Sequence, residues 1–317
     1  VFYQCEVTAL HVSQATFESA TVNNAGNTTQ ISARAVVIAS GGCQANDAWM
    51  REAWGEAADN FKIRGTPHNR GVVLKNLMEN GATTVGDPTQ CHAVAIDARA
   101  PKYDGGIATR LDCVCFSVVV NREGRRFYDE GEDFWPRRYA IWGRLIAAQP
   151  GQIAYAIVDS KVTGEFMPSM FPPASADSLE SLAHVIDLDA TVLRETVDAY
   201  NSAVVPAEFD PGELDNCRTE GLDPAKSHWA QTIDTPPFSA YPLSPGSTFT
   251  SLGLTVDERA RAAFDDVGAA KNIFAAGEVM AGNILGQGYC AGTGMTIGAV
   301  FGRIAGKEAA SAALSDV

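Results

Sequence analysis

The chain has 317 residues, room for about two domains of ~150 residues each, and its 46% hydrophobic and 20% charged residues, with Gly 29 and Pro 15, exclude disordered, coiled-coil and repeat architectures. Lys and Arg number 24 against 38 Asp and Glu, a net charge of −14, which lacks the basic footprint of a nucleic-acid binder. The longest apolar run, 113–120, is far below the ~20 residues that cross a bilayer.

The chain opens Val1-Phe2-Tyr3, without a methionine and already in a strand pattern, so the natural N-terminus is expected further upstream. Residues 2–12 and 16–22 read as strands, and a turn at 23–27 precedes a third at 28–33. The run Ala35 to Ala39 is continuously apolar and ends in Ser40-Gly41-Gly42, as expected of a strand covered on both faces. Val73, Leu74, Leu77 and Met78 have helical spacing, with Gly81 placed to end the helix. The middle holds most of the tryptophans and prolines, a hairpin-like unit at 121–125 and a helix pair in 178–201. Asp177 with Glu180 has the spacing of a capping box, and Asp189 is placed to cap the second helix. Pro236, Pro237, Pro242 and Pro245 mark a return to the first domain. A strand at 272–276 then ends in Gly277-Glu278, a glycine-rich loop follows, and a helix is predicted from Thr293 to Leu314. The seven cysteines have no CxxC or zinc-like spacing, which fits a reduced, cytoplasmic protein without a metal site.

Three features carry chemistry. The strand ends 39–42 and 275–278 are where open α/β sheets bind ligands, unless they are ordinary strand-to-helix turns. The loop 285–298 contains neither GxGxxG nor a Walker motif. It offers a helix start suited to negative charge, while Gly298, Gly302 and Gly306 equally allow close helix packing. His92, Arg110, Arg125, Arg126, Arg137, Arg138 and Arg144 are candidates for binding carboxylates. Their alternative is surface pairing with Glu130, Glu132 and Asp133. His11, His184 and His228 read as structural.

The segments ARAVVIASGG, NREGRRF, NIFAAGEV and FGRIAG resemble the flavoprotein family of fumarate reductases, succinate dehydrogenases and L-aspartate oxidase. A closer likeness, to FAD-dependent tricarballylate dehydrogenase and a cobalamin-biosynthesis flavoprotein, rests on 55–71, 87–106, 126–144 and 281–303. The resemblance implies an α/β fold: an FAD-binding Rossmann-like domain, incomplete at its N-terminus (1–96 and 241–317), around an inserted α+β capping domain (97–240). It implies FAD near Val7 at the adenine, Ala39, Ser40, Gly41, Gly42, Thr66 and Asn69 along the cofactor, Gly277 and Glu278 at the ribityl chain, and Thr293, Gly294 and Met295 at the pyrimidine edge. The family's catalytic arginine matches Arg138, with Arg137 beside it, and its carboxylate-binding histidine matches His92. Arg110, Thr250 and Tyr289 are the remaining substrate candidates.

Two departures concern the substrate. Thr248-Phe249-Thr250 stands where fumarate reductases have HHT, and Tyr289 where they have an arginine, which argues against succinate or fumarate. The resemblance therefore implies oxidation of a small tricarboxylate, tricarballylate to cis-aconitate, with electrons passed to a membrane-bound iron–sulfur and haem protein at the inner face of the membrane. The alternatives are a flavoprotein of cobalamin biosynthesis, or a flavin-free fragment or small-anion binding module without activity.

Overall fold

The computed structural model of the chain describes residues 1–105 and 108–315, which form two compact units. The first comprises Val1–Ala53, Pro67–Cys91 and Phe249–Val317, and the second Trp54–Thr66 and His92–Thr248. The segments 54–66, 92–96 and 241–248, assigned to the cofactor domain from the sequence, thus lie in the second unit. The reason is strand pairing. Lys62–Arg64 adds in parallel to Phe238–Thr250, with Ser247 opposite Ile63.

In the first unit, Cys5–Ser13, Thr16–Asn24 and Asn27–Ser32 form an antiparallel sheet. Two-residue turns join the strands. Gln14 and Ala15 have φ of 47° and 56°, and Ala25 and Gly26 of 49° and 87°, the paired positive values that match the twist of a tight hairpin. A second sheet sets Val36–Ile38 parallel to Gly268–Ala275, which pairs on its other side with Arg261–Phe264. The helix Val72–Glu79 buries Leu74 and Leu77 completely in a core with Leu10, Phe17, Ile38 and Ile273. Thr293–Leu314 is helical as the spacing predicts, burying Ile297 and Ala305. Gly298, Gly302 and Gly306 make no close approach to another element among the described residues: apart from their chain neighbours and their own helix backbone, no heavy atom lies within 4 Å of where their Cβ would stand.

The second unit is built on a mixed sheet. Its path runs Tyr103–Asp104, Lys62–Arg64, Phe238–Thr250, Ala154–Val158 and Val118–Asn121, and Cys91–Asp97 and Ala174–Ala176 also pair with Phe238–Thr250. Strand side chains alternate between faces. Val119, Ala154 and Ala156 enter a core with Trp142 and Trp229. Val118, Val120 and Ile157 enter another with Leu182, Leu193 and Tyr200. Two covered faces explain why these strands read as continuously apolar. Asp189 caps the helix Ala190–Ala203 as predicted, accepting from the N–H groups of Thr191 and Val192 at 2.8 and 3.0 Å. The helix before it is capped by Ser178, which accepts from Ser181 N–H, and not by Asp177. Glu180, expected to complete that box, pairs with Arg194.

Among the described residues, no helix is long and apolar enough to cross a membrane and no cluster of His, Cys, Asp or Glu could hold a metal ion.

Candidate active site

In the first unit, Val36–Ile38 and Gly268–Ala275 run parallel and finish side by side, Ile38 opposite Ala275. Ala39, Ser40, Gly41 and Gly42 continue the first, and Gly277 and Glu278 follow the second. Gly41 and Gly277 have φ of 74° and 79°, a conformation glycine adopts without the penalty of a Cβ. Gly42 leaves no room for a side chain, because a Cβ there would overlap Thr250 Oγ1 and Glu278 Oε1. A Cβ on Gly41 would press on the Asn69 amide at 2.9 Å.

The half-buried Glu278 is the centre of this network. It accepts from Thr250 N–H at 3.0 Å and, more loosely, from the Gln44 and Asn69 amides at 3.5 Å each. Burial pushes its carboxyl up to about 7, against the opposing pull of these bonds. Thr250 Oγ1 accepts from Cys43 N–H at 3.3 Å. Burial raises the Cys43 thiol to about 11, so it is no nucleophile at neutral pH.

The same unit holds a cavity of about 890 Å³ lined by Cys5, Glu6, Asn23, Pro67, His68 and Arg70. Clefts of ~300–1,000 Å³ are typical of cofactor sites. Val7 packs on the core beside it in sequence. At the start of the helix Thr293–Leu314, Gly292 has φ 91°. Thr293 N–H donates to Cys290 O at 3.1 Å and Gly294 N–H to Tyr289 Oη at 2.7 Å. Tyr289 packs edge-on against Phe249, so it shapes the glycine loop. Met295 is 83% exposed.

The second unit brings together another set. His92, 7% exposed, sets its ring edge-on to Tyr139 with centroids 5.4 Å apart. The Arg110 guanidinium lies over the same Tyr139 ring, 5.2 Å from its centroid. Arg110 Nη2 donates to Asp112 Oδ2 at 2.6 Å, while its buried Nε has no hydrogen-bond partner among the described residues. The other Asp112 oxygen accepts from Trp135 Nε1 at 2.8 Å. Arg64, half-buried, donates Nη1 to Thr248 Oγ1 at 2.9 Å. Burial, reinforced by the charges of Arg64 and Arg110, pushes His92 down to about 3. Its imidazole is therefore neutral at pH 7. Burial and the charge of Arg110 lower Arg64 as well.

The arginines differ in what holds them. Arg126 forms a buried pair with Glu130 at 2.6 Å, side chains 4% and 0% exposed, which makes it structural. Arg125 faces Glu195 across 3.7 Å at the surface. Arg137, its side chain 62% exposed, pairs with Asp133. Arg138 reaches Glu132 Oε1 at 3.2 Å, and its buried Nε has no hydrogen-bond partner among the described residues. Glu132 Oε2 accepts from Tyr128 Oη at 2.7 Å. Burial and this bond raise the Tyr128 phenol to about 12.

Ala39 to Gly42, Asn69, Gly277, Glu278 and Thr293 to Met295 thus all fall in the first unit, and Thr66 in the second. Of the substrate candidates, Arg110 lies with His92, Arg137 and Arg138 in the second unit, whereas Thr250 and Tyr289 lie in the first. Gln44, Arg64 and Tyr139 belong to these networks but were not among the site residues singled out from sequence, and Glu132 was read there only as a pairing partner of the arginines. Arg64 carried one available signal: it ends a short strand immediately before Gly65-Thr66.

A family profile described as FAD binding domain matches residues 1–297. The chain is 30% identical over 292 residues to an NADH:acrylate oxidoreductase of Vibrio harveyi, covering 86% of this chain and 26% of the relative. It is 26% identical over 298 residues to an NADH:fumarate oxidoreductase of Klebsiella pneumoniae (strain 342), covering 92% and 30%. The chain therefore spans about a quarter to a third of the length of these curated relatives. Its fold matches the open conformation of a flavocytochrome c3 fumarate reductase with a TM-score of 0.70 at 23% identity, covering 98% of this chain and 52% of that one. The mixed α/β flavoprotein fold and the FAD cofactor read from the sequence are those of this family. The glycine strand ends, the cavity and the Glu278 network fit such a cofactor, and the chain belongs to the FAD binding domain family.

Proposed function

We propose that this chain is the FAD-binding part of a dehydrogenase that oxidises a small tricarboxylate, tricarballylate to cis-aconitate, and passes the electrons to a membrane-bound iron–sulfur and haem protein. The observation that carries the reading is the convergence of His92 and Arg110 on the ring of Tyr139, the residue after Arg138. A guanidinium with a buried, unsatisfied Nε is suited to bind a carboxylate, and a neutral imidazole adds a hydrogen bond without competing charge. The relatives' names specify acrylate and fumarate, compounds that carry a carbon–carbon double bond beside a carboxylate, as the proposed product does.

Oxidation of a –CH–CH– unit to an alkene releases one hydride and one proton. FAD supplies the acceptor for the hydride. The proton goes to Arg138, which first gives its own proton to the Glu132 carboxylate at 3.2 Å. An arginine base works only where water is excluded and a neighbouring carboxylate takes up its proton. Glu132 answers the second need, and Tyr128 fixes its other oxygen. Arg137 also has a carboxylate neighbour, Asp133 at 3.3 Å, but its side chain is 62% exposed against 39% for Arg138, so it meets the exclusion of water less well.

Replacement R138A in the FAD-loaded protein is expected to abolish tricarballylate oxidation while leaving the flavin bound. Undiminished turnover in R138A would remove this residue from the reaction.

A further inference from the structure

We infer that the first unit carries a second anion site, at the opposite end of its parallel strands from the glycine turns, where Arg34, Arg259, Arg261 and Lys271 take a phosphate group. The inference does not depend on the reaction proposed above.

The placement begins with strand pairing. The parallel pairing of Val36–Ile38 with Gly268–Ala275 starts at Val36 and Ile273. Gly41 and Gly277 follow its end, whereas Arg34 and Lys271 each stand two residues before its start. Asn272 fixes this corner: its Oδ1 accepts from Phe17 N–H at 2.7 Å and its Nδ2 donates to Arg34 O at 2.9 Å. Arg261 pairs with Phe274 in the antiparallel neighbour, so the two side chains share a face. On that face Phe274 clusters with Ala305 and Ala312 of the helix Thr293–Leu314. Arg259 Nε donates to Glu308 Oε2 of the same helix at 2.6 Å, and Arg34 Nη1 donates to Ala313 O at 3.0 Å. Between sheet and helix these residues line a cavity of about 280 Å³.

The chain has 24 basic residues against 38 acidic ones, yet four cations and a single carboxylate, Glu308, line this cavity. Attraction to the negative end of the helix accounts for Arg34, which bonds a carbonyl of the last turn. It does not account for the rest. Glu308 offsets Arg259, and Asp257 offsets Arg261 at 2.7 Å. Lys271 Nζ makes no hydrogen bond or ion pair among the described residues. Arg34 and Lys271 therefore leave a surplus of two positive charges. A phosphate monoester carries about −1.5 to −2 at pH 7 and matches that surplus, whereas a lone carboxylate meets half of it. Each guanidinium has five N–H donors, so the arginines keep some for a ligand after making their own pairs. The cavity lies at the lower edge of the ~300–1,000 Å³ of ligand clefts, which suits a small phosphate compound.

The test is calorimetric titration of the FAD-loaded protein, its cofactor site filled, with glycerol 3-phosphate, inorganic phosphate and acetate. Both phosphates are expected to bind at one shared site per chain, and acetate at least about tenfold more weakly. K271A removes a charge that holds no other described residue in place, so it should unfold in urea as the wild type does and lose about tenfold of the phosphate affinity. K271R should keep most of that affinity, and R34A/K271A should abolish binding. K75A, which removes an exposed charge from the helix Val72–Glu79, should bind as the wild type does. Tighter binding of glycerol 3-phosphate would support the site and assign it to an ester, and equal or tighter binding of inorganic phosphate would support it and assign it to the free ion. The site would be overturned by no binding of either phosphate at ~10 mM, by acetate binding as tightly as the phosphates, by a K271A affinity within about threefold of wild type, or by equal losses in K75A and K271A.

Discussion

The backbone N–H of Thr250 donates to Glu278 Oε1 at 3.0 Å, tying the end of one long strand to the carboxylate that follows another. Gly42 fits between the two side chains only because it has none. G42A should therefore cost about 2–3 kcal/mol through overpacking and lower FAD affinity. G277A has open space around the added Cβ and pays only for its φ of 79°, about 1–2 kcal/mol. Urea unfolding of both variants checks the order, and a G277A at least as destabilised as G42A would contradict it.

Glu278 also makes stability pH-dependent. Burial lifts its carboxyl from 4.5 to about 7, so the folded protein retains a proton that the unfolded chain has released. Its contribution is whole below the unfolded value and declines as pH rises to about 7, where it levels. Urea midpoints of the flavin-free protein across this range should fall less steeply in E278Q than in wild type. Identical slopes would show that Glu278 titrates normally.

His92 shifts the other way, to about 3, so it carries no charge between about pH 5.5 and 8. KM for a polycarboxylate should be flat over that range, because in the proposed site Arg110 and not His92 carries the binding charge. If an imidazolium held the carboxylate, KM would rise about tenfold per pH unit above ~6.5. A steep rise that disappears in H92Q would establish the charged form.

The buried Arg126–Glu130 pair predicts non-additive mutations. Glu130 also accepts from Val119 N–H at 2.8 Å, so E130Q should cost about 3–5 kcal/mol by leaving Arg126 uncompensated. The double variant R126M/E130Q should be less destabilised than the sum of the two single changes. Additive losses by urea unfolding would contradict the coupling.

What the sequence made legible follows from how local each signal is. The helix Thr293–Leu314 and the Asp189 cap depend on neighbours within one or two turns, and both stand as read. The cap at Ser178 replaced the Asp177–Glu180 box because Glu180 found Arg194 on the next helix, a tertiary contact that spacing does not encode. Arg126 and Arg138 look alike in sequence. One is locked to Glu130 in the interior and the other meets a half-exposed Glu132, a difference set by burial alone. Arg64 was hidden because its position depends on a strand partner more than 180 residues away in the chain, Thr248.

The proposed reaction is the oxidation of a tricarboxylate by the FAD-loaded protein. The most direct measurement is the visible absorption of the FAD-loaded protein before and after anaerobic addition of tricarballylate. The account predicts that the oxidised flavin band bleaches and returns when an electron acceptor is added. A band that persists unchanged at saturating tricarballylate would contradict it.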